Sequence, residues 1–195
     1  MTYVLTADDG PVRVLTLNRP EARNALNPEL IGSLYAKLVD ADTDPSVRAV
    51  VLTGTDPSFC AGVDLKEANR LGSAYFEQFQ TQNCITRVAQ MATPIVGAIN
   101  GPVFTGGLEM ALGCDFLIAS ERAVFADTHA RVCILPGGGI TARLPQLVAT
   151  GWAAVTDAAL AAEQRISGAA SDTSDLGERL RAVTDRNRRQ IDDAS

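Results

Sequence analysis

Ile95-Val96-Gly97-Ala98-Ile99-Asn100-Gly101-Pro102-Val103-Phe104-Thr105-Gly106-Gly107-Leu108-Glu109 carries the reading of this chain. The apolar run 95–99 reads as a buried strand, Asn100-Gly101 as a turn, and Gly106 to Gly113 as a short helix. A second stretch repeats the layout. Ala49-Val50-Val51-Leu52 reads as a strand and leads into Phe59-Cys60-Ala61-Gly62-Val63-Asp64-Leu65. Each glycine-bearing loop therefore sits just past the end of a core strand, where backbone N–H groups can approach a ligand without a side chain in the way. The helix opening at Gly106 adds free N–H groups and the positive end of its dipole. Two such N–H sources facing each other would make an oxyanion hole, and Glu109 sets a carboxylate three residues after Gly106.

Working outward, Val12 to Leu17 reads as a strand paired with Tyr3-Val4-Leu5 across the Asp8-Asp9-Gly10-Pro11 turn. Asn27-Pro28-Glu29 starts a helix, with Asn as cap and Pro in the first turn. Leu30, Ile31, Leu34, Tyr35 and Leu38 mark one face of it. A further helix is expected over about 73–92, with Phe76, Phe79, Ile85 and Val88 inward. Strands are expected at 116–119 and 123–126. Alternating strands and helices imply an α/β fold with right-handed crossovers. The pattern changes near residue 150. Residues 1–150 form one unit, and 151–195 read as a helical tail: an alanine-rich helix from Ala153 to Ile166, a small polar linker over 167–175, and a charged helix striped by Leu176, Leu180 and Val183.

The chain has 195 residues, 46% of them hydrophobic and 21% charged, enough for one well-packed domain. A net charge of −6 with no basic stripe before the last helix argues against nucleic acid as a partner. No apolar run reaches membrane-spanning length and no signal-peptide pattern opens the chain, so a cytoplasmic protein is expected. Cys60, Cys84, Cys114 and Cys133 lack CxxC spacing and His129 is the single histidine, so no metal site is expected and the cysteines read as buried, reduced thiols. There is no Gly-x-Gly-x-x-Gly after the first strand and no Walker A pattern.

These residues resemble the enoyl-CoA hydratase/isomerase (crotonase) family from about residue 12 to 148. The match runs through Leu17-Asn18-Arg19-Pro20, Asn24-Ala25-Leu26-Asn27, Leu52-Thr53-Gly54, Asp64-Leu65, Asn100-Gly101-Pro102, Glu109, Cys114-Asp115 and Ile134-Leu135-Pro136-Gly137-Gly138-Gly139. Several motifs in the right order make the resemblance specific. It implies a spiral of ββα units with a CoA-thioester site in residues 1–150 and assembly as homotrimers or hexamers of paired trimers. It implies a lyase that adds water to a 2-trans-enoyl-CoA through an enolate. The backbone N–H groups of Val63 and Gly106 would stabilise the thioester oxygen, and Glu109 would deprotonate the water. Taken alone, Glu109 also reads as an ordinary acid in a first helical turn.

Two departures stand out against the family. The second glutamate of hydratases falls, by ungapped count, at His129, which either takes the general-acid role or has lost it. Asp127 would share a face with His129 in an extended segment and is a less well-placed substitute. Family members are also longer beyond Val148, so a reduced helical C-terminal region is expected. These departures keep open another enolate reaction (isomerisation, decarboxylation or thioester hydrolysis) and a CoA-thioester binder without turnover. No permanently bound cofactor is expected, because coenzyme A enters as part of the acyl substrate. By the resemblance Arg23, Asn24, Ala25 and Leu26 meet its adenine end. Ala61 and Gly62 line the same pocket, with Asp64, Leu65 and Gly107 beside them, and Lys66 faces the phosphates. Arg23 and Lys66 also read as plain solvated charges. Gly137-Gly138-Gly139 reads either as a structural turn or as a helix opening able to bind an anion. Phe59, Leu65, Tyr75, Phe79 and Phe104 are candidates for either an acyl tunnel or the core.

Overall fold

The computed structural model describes residues 1–148. The hairpin β1 (Val4–Asp9) and β2 (Val12–Leu17) pairs antiparallel in the register Val4 to Leu17, turning at Gly10. β3 (Ala49–Gly54), β4 (Ile95–Ile99) and β6 (Phe116–Ala119) then add in parallel, giving the order β1-β2-β3-β4-β6. The short β5 (Val103–Phe104) and β7 (Phe125–Ala126) pair in parallel as a second, narrow layer. Isolated bridges Leu26–Val63 and Cys60–Val103 extend that layer. Each pass of the chain therefore leaves a long strand, makes a brief extended contact in the second layer, and enters a helix. This is the crotonase-like spiral of ββα units.

Alternation decides which way the strands face. In β2 the residues Arg13, Leu15 and Leu17 point to the core, and β3 and β4 bury every second residue in the same way. Arg13 is a charge on that face, only 8% exposed, and it is held by Asp8 of β1, by Asp40 of the helix α1 (Pro28–Thr43) and by Asp44 at the end of that helix. Its guanidinium thus ties the hairpin to the helix. Asn27 caps α1 by accepting from the Leu30 N–H at 3.0 Å. Leu30, Ile31, Leu34 and Leu38 are fully buried, each contributing about 2 kcal/mol. Tyr35 is half-buried.

The helix expected over 73–92 is broken. α2 (Leu65–Leu71) ends at Gly72, whose φ of +61° suits glycine. α3 (Ser73–Thr81) follows and stops at Gln82, and Asn83 then starts α4 (Cys84–Val88) by accepting from the Thr86 N–H at 3.0 Å. An asparagine that bonds local backbone competes with helix continuation, which the apolar spacing could not reveal. The strand expected at 123–126 is confined to Phe125–Ala126. His129 lies not in an extended segment but at the start of α6 (His129–Val132). α5 (Gly106–Leu112) and α7 (Ile140–Val148) complete the described elements, and α5 packs against α4 and α7. The expected tail over 151–195, with its linker and two helices, lies outside the described residues.

Cys60 and Cys84 are buried and Cys114 is half-buried, but Cys133 is exposed, contrary to the expectation of four buried thiols. It ends α6 in a left-handed turn, where its side chain has no core to enter. Phe59 and Tyr75 belong to the core.

Candidate active site

The loop after β3 is held by side chains that face inward. Asn24, fully buried, accepts from the Arg19 N–H at 2.8 Å and donates to Thr55 O at 2.8 Å and Ser58 O at 2.7 Å. Arg19 pairs with Asp64, whose other oxygen caps α2 by accepting from the Lys66 and Glu67 N–H groups. The Tyr75 hydroxyl donates to Leu26 O and accepts from the Asp64 N–H. Leu26 also donates to Gly62 O and accepts from the Asp64 N–H. This pattern uses the backbone groups on either side of Val63 and turns the Val63 N–H away from Leu26. Among the described residues the Val63 N–H has no acceptor.

The second loop runs closely against the first, with the Phe104 N–H donating to Cys60 O at 3.0 Å. A Cβ on Gly62 would lie 1.7 Å from Thr105 Oγ1, and one on Gly107 would lie 2.4 Å from Cys60 O, so only glycines allow this approach. Thr105 has a φ of +43°, a strained value for a β-branched residue, immediately before α5 opens. The Gly106 N–H that follows likewise has no acceptor among the described residues. Val63 and Gly106 both line a cavity of about 470 Å³, as do Glu109 and His129. Tyr35, Phe76, Phe79 and Ile85 supply apolar wall, and Gln80, Asn83 and Gln90 supply polar wall.

Glu109 is 3% exposed. Its carboxylate does not cap its own helix. Oε1 accepts from the Gly138 N–H at 2.8 Å and the Ile140 N–H at 3.4 Å, where α7 begins. The Gly137–Gly139 run is thus both a turn and an anion-binding helix opening, and the anion is the protein's own Glu109. Arg143 donates to Gly138 O at 2.6 Å and steadies that turn. Glu109 Oε2 lies 3.6 Å from His129 Nε2. On the other side of the ring Nδ1 lies 2.7 Å from Asp127 Oδ1, which also accepts from the His129 N–H. Burial of His129 opposes its charged form, but Glu109 and then Asp127 outweigh burial and raise its pKa above the ordinary histidine value. Burial opposes ionisation of Asp127 too, yet its bonds with His129 hold its pKa below the usual range.

The four residues read as catalytic from the sequence, Glu109, His129, Val63 and Gly106, come together on this one cavity. Arg23, Asn24, Ala25, Leu26, Ala61, Gly62 and Asp64 lie on the adjoining loops, Leu65 and Lys66 in the first turn of α2 and Gly107 in that of α5, and none of them is on its wall. Arg23 and Lys66 are exposed, whereas Asn24, Leu26 and Asp64 are buried and engaged within the protein. Of the five aromatic or aliphatic tunnel candidates, Phe79 alone lines the cavity. Cys60 is no nucleophile here, since burial pushes its thiol up to about 12. Sequence reading missed Gly138 as the donor that fixes Glu109. The glycine run before an apolar helix was its signal. No helix among the described residues is long and apolar enough to cross a membrane.

The enoyl-CoA hydratase/isomerase family model matches residues 8–176. The chain is 38% identical over 141 residues to a probable peroxisomal enoyl-CoA hydratase of Arabidopsis thaliana, covering 72% of this chain and 53% of that protein. It is 40% identical over 139 residues to the mitochondrial enoyl-CoA hydratase of Pongo abelii, covering 70% of this chain and 47% of that one. The chain thus spans about half the length of these curated relatives. Among solved structures it is similar to enoyl-CoA hydratase from Bacillus anthracis, with a TM-score of 0.69 and 33% identity over 76% of this chain and 59% of that chain. It is also similar to an enoyl-CoA hydratase of Mycobacterium paratuberculosis, with a TM-score of 0.65 and 38% identity over 98% of this chain and 89% of that chain. With its loops, its buried Glu109 and this match over most of its length, the chain belongs to the enoyl-CoA hydratase/isomerase family.

Proposed function

We propose that the protein hydrates a 2-trans-enoyl-CoA. The observation that carries the reading is the buried Glu109 carboxylate on a cavity walled by Val63 and Gly106, whose N–H groups have no acceptor among the described residues. The thioester oxygen takes both N–H groups. As water adds to C3, negative charge moves onto that oxygen and the fixed donors hold it more tightly than in the ground state, each worth roughly 3 kcal/mol. Glu109 accepts the water proton, and His129 Nε2 donates a proton to C2. The 3.6 Å gap between Glu109 and His129 lets the first proton return to the ring and reset the pair.

Arg23 and Lys66 are proposed to meet the phosphates and adenine of coenzyme A. Ala25, Ala61, Leu65 and Gly107 shape the loops around it, and Asn24, Leu26, Gly62 and Asp64 set those loops in place. Coenzyme A enters with the substrate, and no resident cofactor is invoked. Assembly into trimers or hexamers and residence in the cytoplasm belong to the same proposal, as does a division into a core of 1–150 and a tail of 151–195. Exposed Phe116 and Ile118 on β6 and Phe125 on β7 support self-association.

An imidazole where a second carboxylate is expected favours one other reading: isomerisation, decarboxylation or thioester hydrolysis through the same enolate. Mass spectrometry of products from several acyl-CoA thioesters separates them. Gain of one water supports hydration. Loss of carbon dioxide, release of free coenzyme A, or a shifted double bond at constant mass supports the alternative. No change in any thioester, with binding retained, leaves a CoA-thioester binder.

A further inference from the structure

His129 presents only one ring nitrogen to the cavity, and Asp127 decides which. Asp127 Oδ1 accepts from the His129 backbone N–H at 3.1 Å and lies 2.7 Å from Nδ1 of the same residue. One oxygen therefore fixes both the start of α6 and the ring. His129 is 5% exposed, so the ring is packed on most of its surface. Its opposite nitrogen, Nε2, points at Glu109 Oε2. Among the described residues, the charged groups that face the ring are Glu109 from α5 and Asp127 from the segment before α6. Asp127 is exposed and does not line the cavity, so it touches no reacting atom.

We propose that Asp127 is a positioning residue that holds a proton on His129 Nδ1, and so makes Nε2 the one atom of the ring that delivers and recovers the proton in the cavity. The role rests on the hydration reading for its chemistry, but not for its geometry. When Nε2 gives its proton to C2 of the enolate, the ring is left neutral with Nδ1–H on Asp127. The lone pair on Nε2 then faces Glu109, which carries the proton taken from water, and the transfer from Oε2 to Nε2 restores both groups. Without Asp127 the neutral ring is free to keep its proton on Nε2 and leave Nδ1 bare. The recovery step then has no acceptor in the cavity.

Because His129 is the single histidine of the sequence, nitrogen NMR on the histidine-labelled full chain reads this ring alone. In the wild type the neutral ring is expected to carry its proton on Nδ1. In Asp127→Ala the proton moves to Nε2 and the titration midpoint falls. Asp127→Asn keeps an acceptor oxygen and removes the charge, so the Nδ1–H form persists while the midpoint falls. With crotonyl-CoA, the alkaline limb of the kcat profile follows these midpoints downward and KM stays near the wild-type value. An unchanged protonation site and midpoint in both variants overturns the proposal. So does a kcat lowered equally at every pH, which marks a purely structural role. A ring that behaves as expected in a protein that turns over no thioester supports the positioning role and removes the hydration reading.

Discussion

Gly138→Ala isolates the contact that holds Glu109. Gly138 does not have a positive φ, so alanine meets no backbone penalty there. The added Cβ instead falls 2.5 Å from Ile85 Cγ2, 2.7 Å from Glu109 Oε2 and 2.8 Å from Glu109 Cδ. Restoring an ordinary contact of about 3.5 Å requires the carboxylate to retreat by roughly 0.8 Å. A retreat of that size stretches the 2.8 Å bond from the Gly138 N–H past hydrogen-bonding length. Overpacking of this kind costs about 2 kcal/mol, which for a chain of this size lowers Tm by roughly 4–8 °C. Displacing a reacting group by that distance lowers kcat roughly 100-fold. Urea denaturation followed by far-ultraviolet circular dichroism measures the first effect, and enoyl thioester turnover at saturating substrate measures the second. Adding Ile85→Ala removes the 2.5 Å contact but leaves the one with Glu109, so the double variant keeps the kinetic defect. A Gly138→Ala protein with wild-type stability and kcat refutes the placement of Glu109 against this turn.

Tyr75→Phe removes a buried hydroxyl that bridges Leu26 O and the Asp64 N–H, so stability falls by about 2 kcal/mol and turnover falls with it as the Val63 loop loosens; equal activity after thermal and kinetic comparison would falsify the link between this bridge and the loop. The raised pKa of His129 means that the folded state binds its proton more tightly than the unfolded chain. Its stabilisation is full below about pH 6.5 and is lost as pH rises through the folded-state pKa. The urea midpoint of wild type should therefore exceed that of His129→Gln most at acid pH, and a difference that grows with pH contradicts the sign. Short treatment of the native protein with an alkylating agent should modify Cys133 first and spare Cys60, which is buried and pushed up to about 12. Peptide mass mapping reads the order, and early loss of Cys60 would show an open loop.

The long strands and the site loops were legible because they combine apolar runs with glycines at strand exits. Strand 95–99 and the helix opening at Gly106 fall where the sequence places them. The second layer was not legible, since its members are one or two residues long and leave no alternation to detect. That is also why the ββα repeat shows no internal sequence repeat. Arg13 on the core face of β2 could have been noticed as a charge in phase with Leu15 and Leu17 and opposite Asp8 in the hairpin, but its other two carboxylate partners, Asp40 and Asp44, come from a distant part of the chain. The break between α3 and α4 depends on one asparagine side chain. Glu109 was visible as an acid in the first turn of a helix, but the group that fixes it, the Gly138 N–H, lies twenty-nine residues away and becomes visible only when α7 packs against α5.

The most direct test of the account is the loss of conjugated enoyl thioester absorbance when the purified protein meets crotonyl-CoA, measured beside Glu109→Gln. Glutamine keeps an oxygen for the Gly138 N–H and removes the base, so the fold is retained while kcat drops by roughly 10²–10⁴-fold. Turnover by the wild type with that loss in the variant is the predicted result. A folded Glu109→Gln protein that hydrates crotonyl-CoA as fast as the wild type contradicts the account.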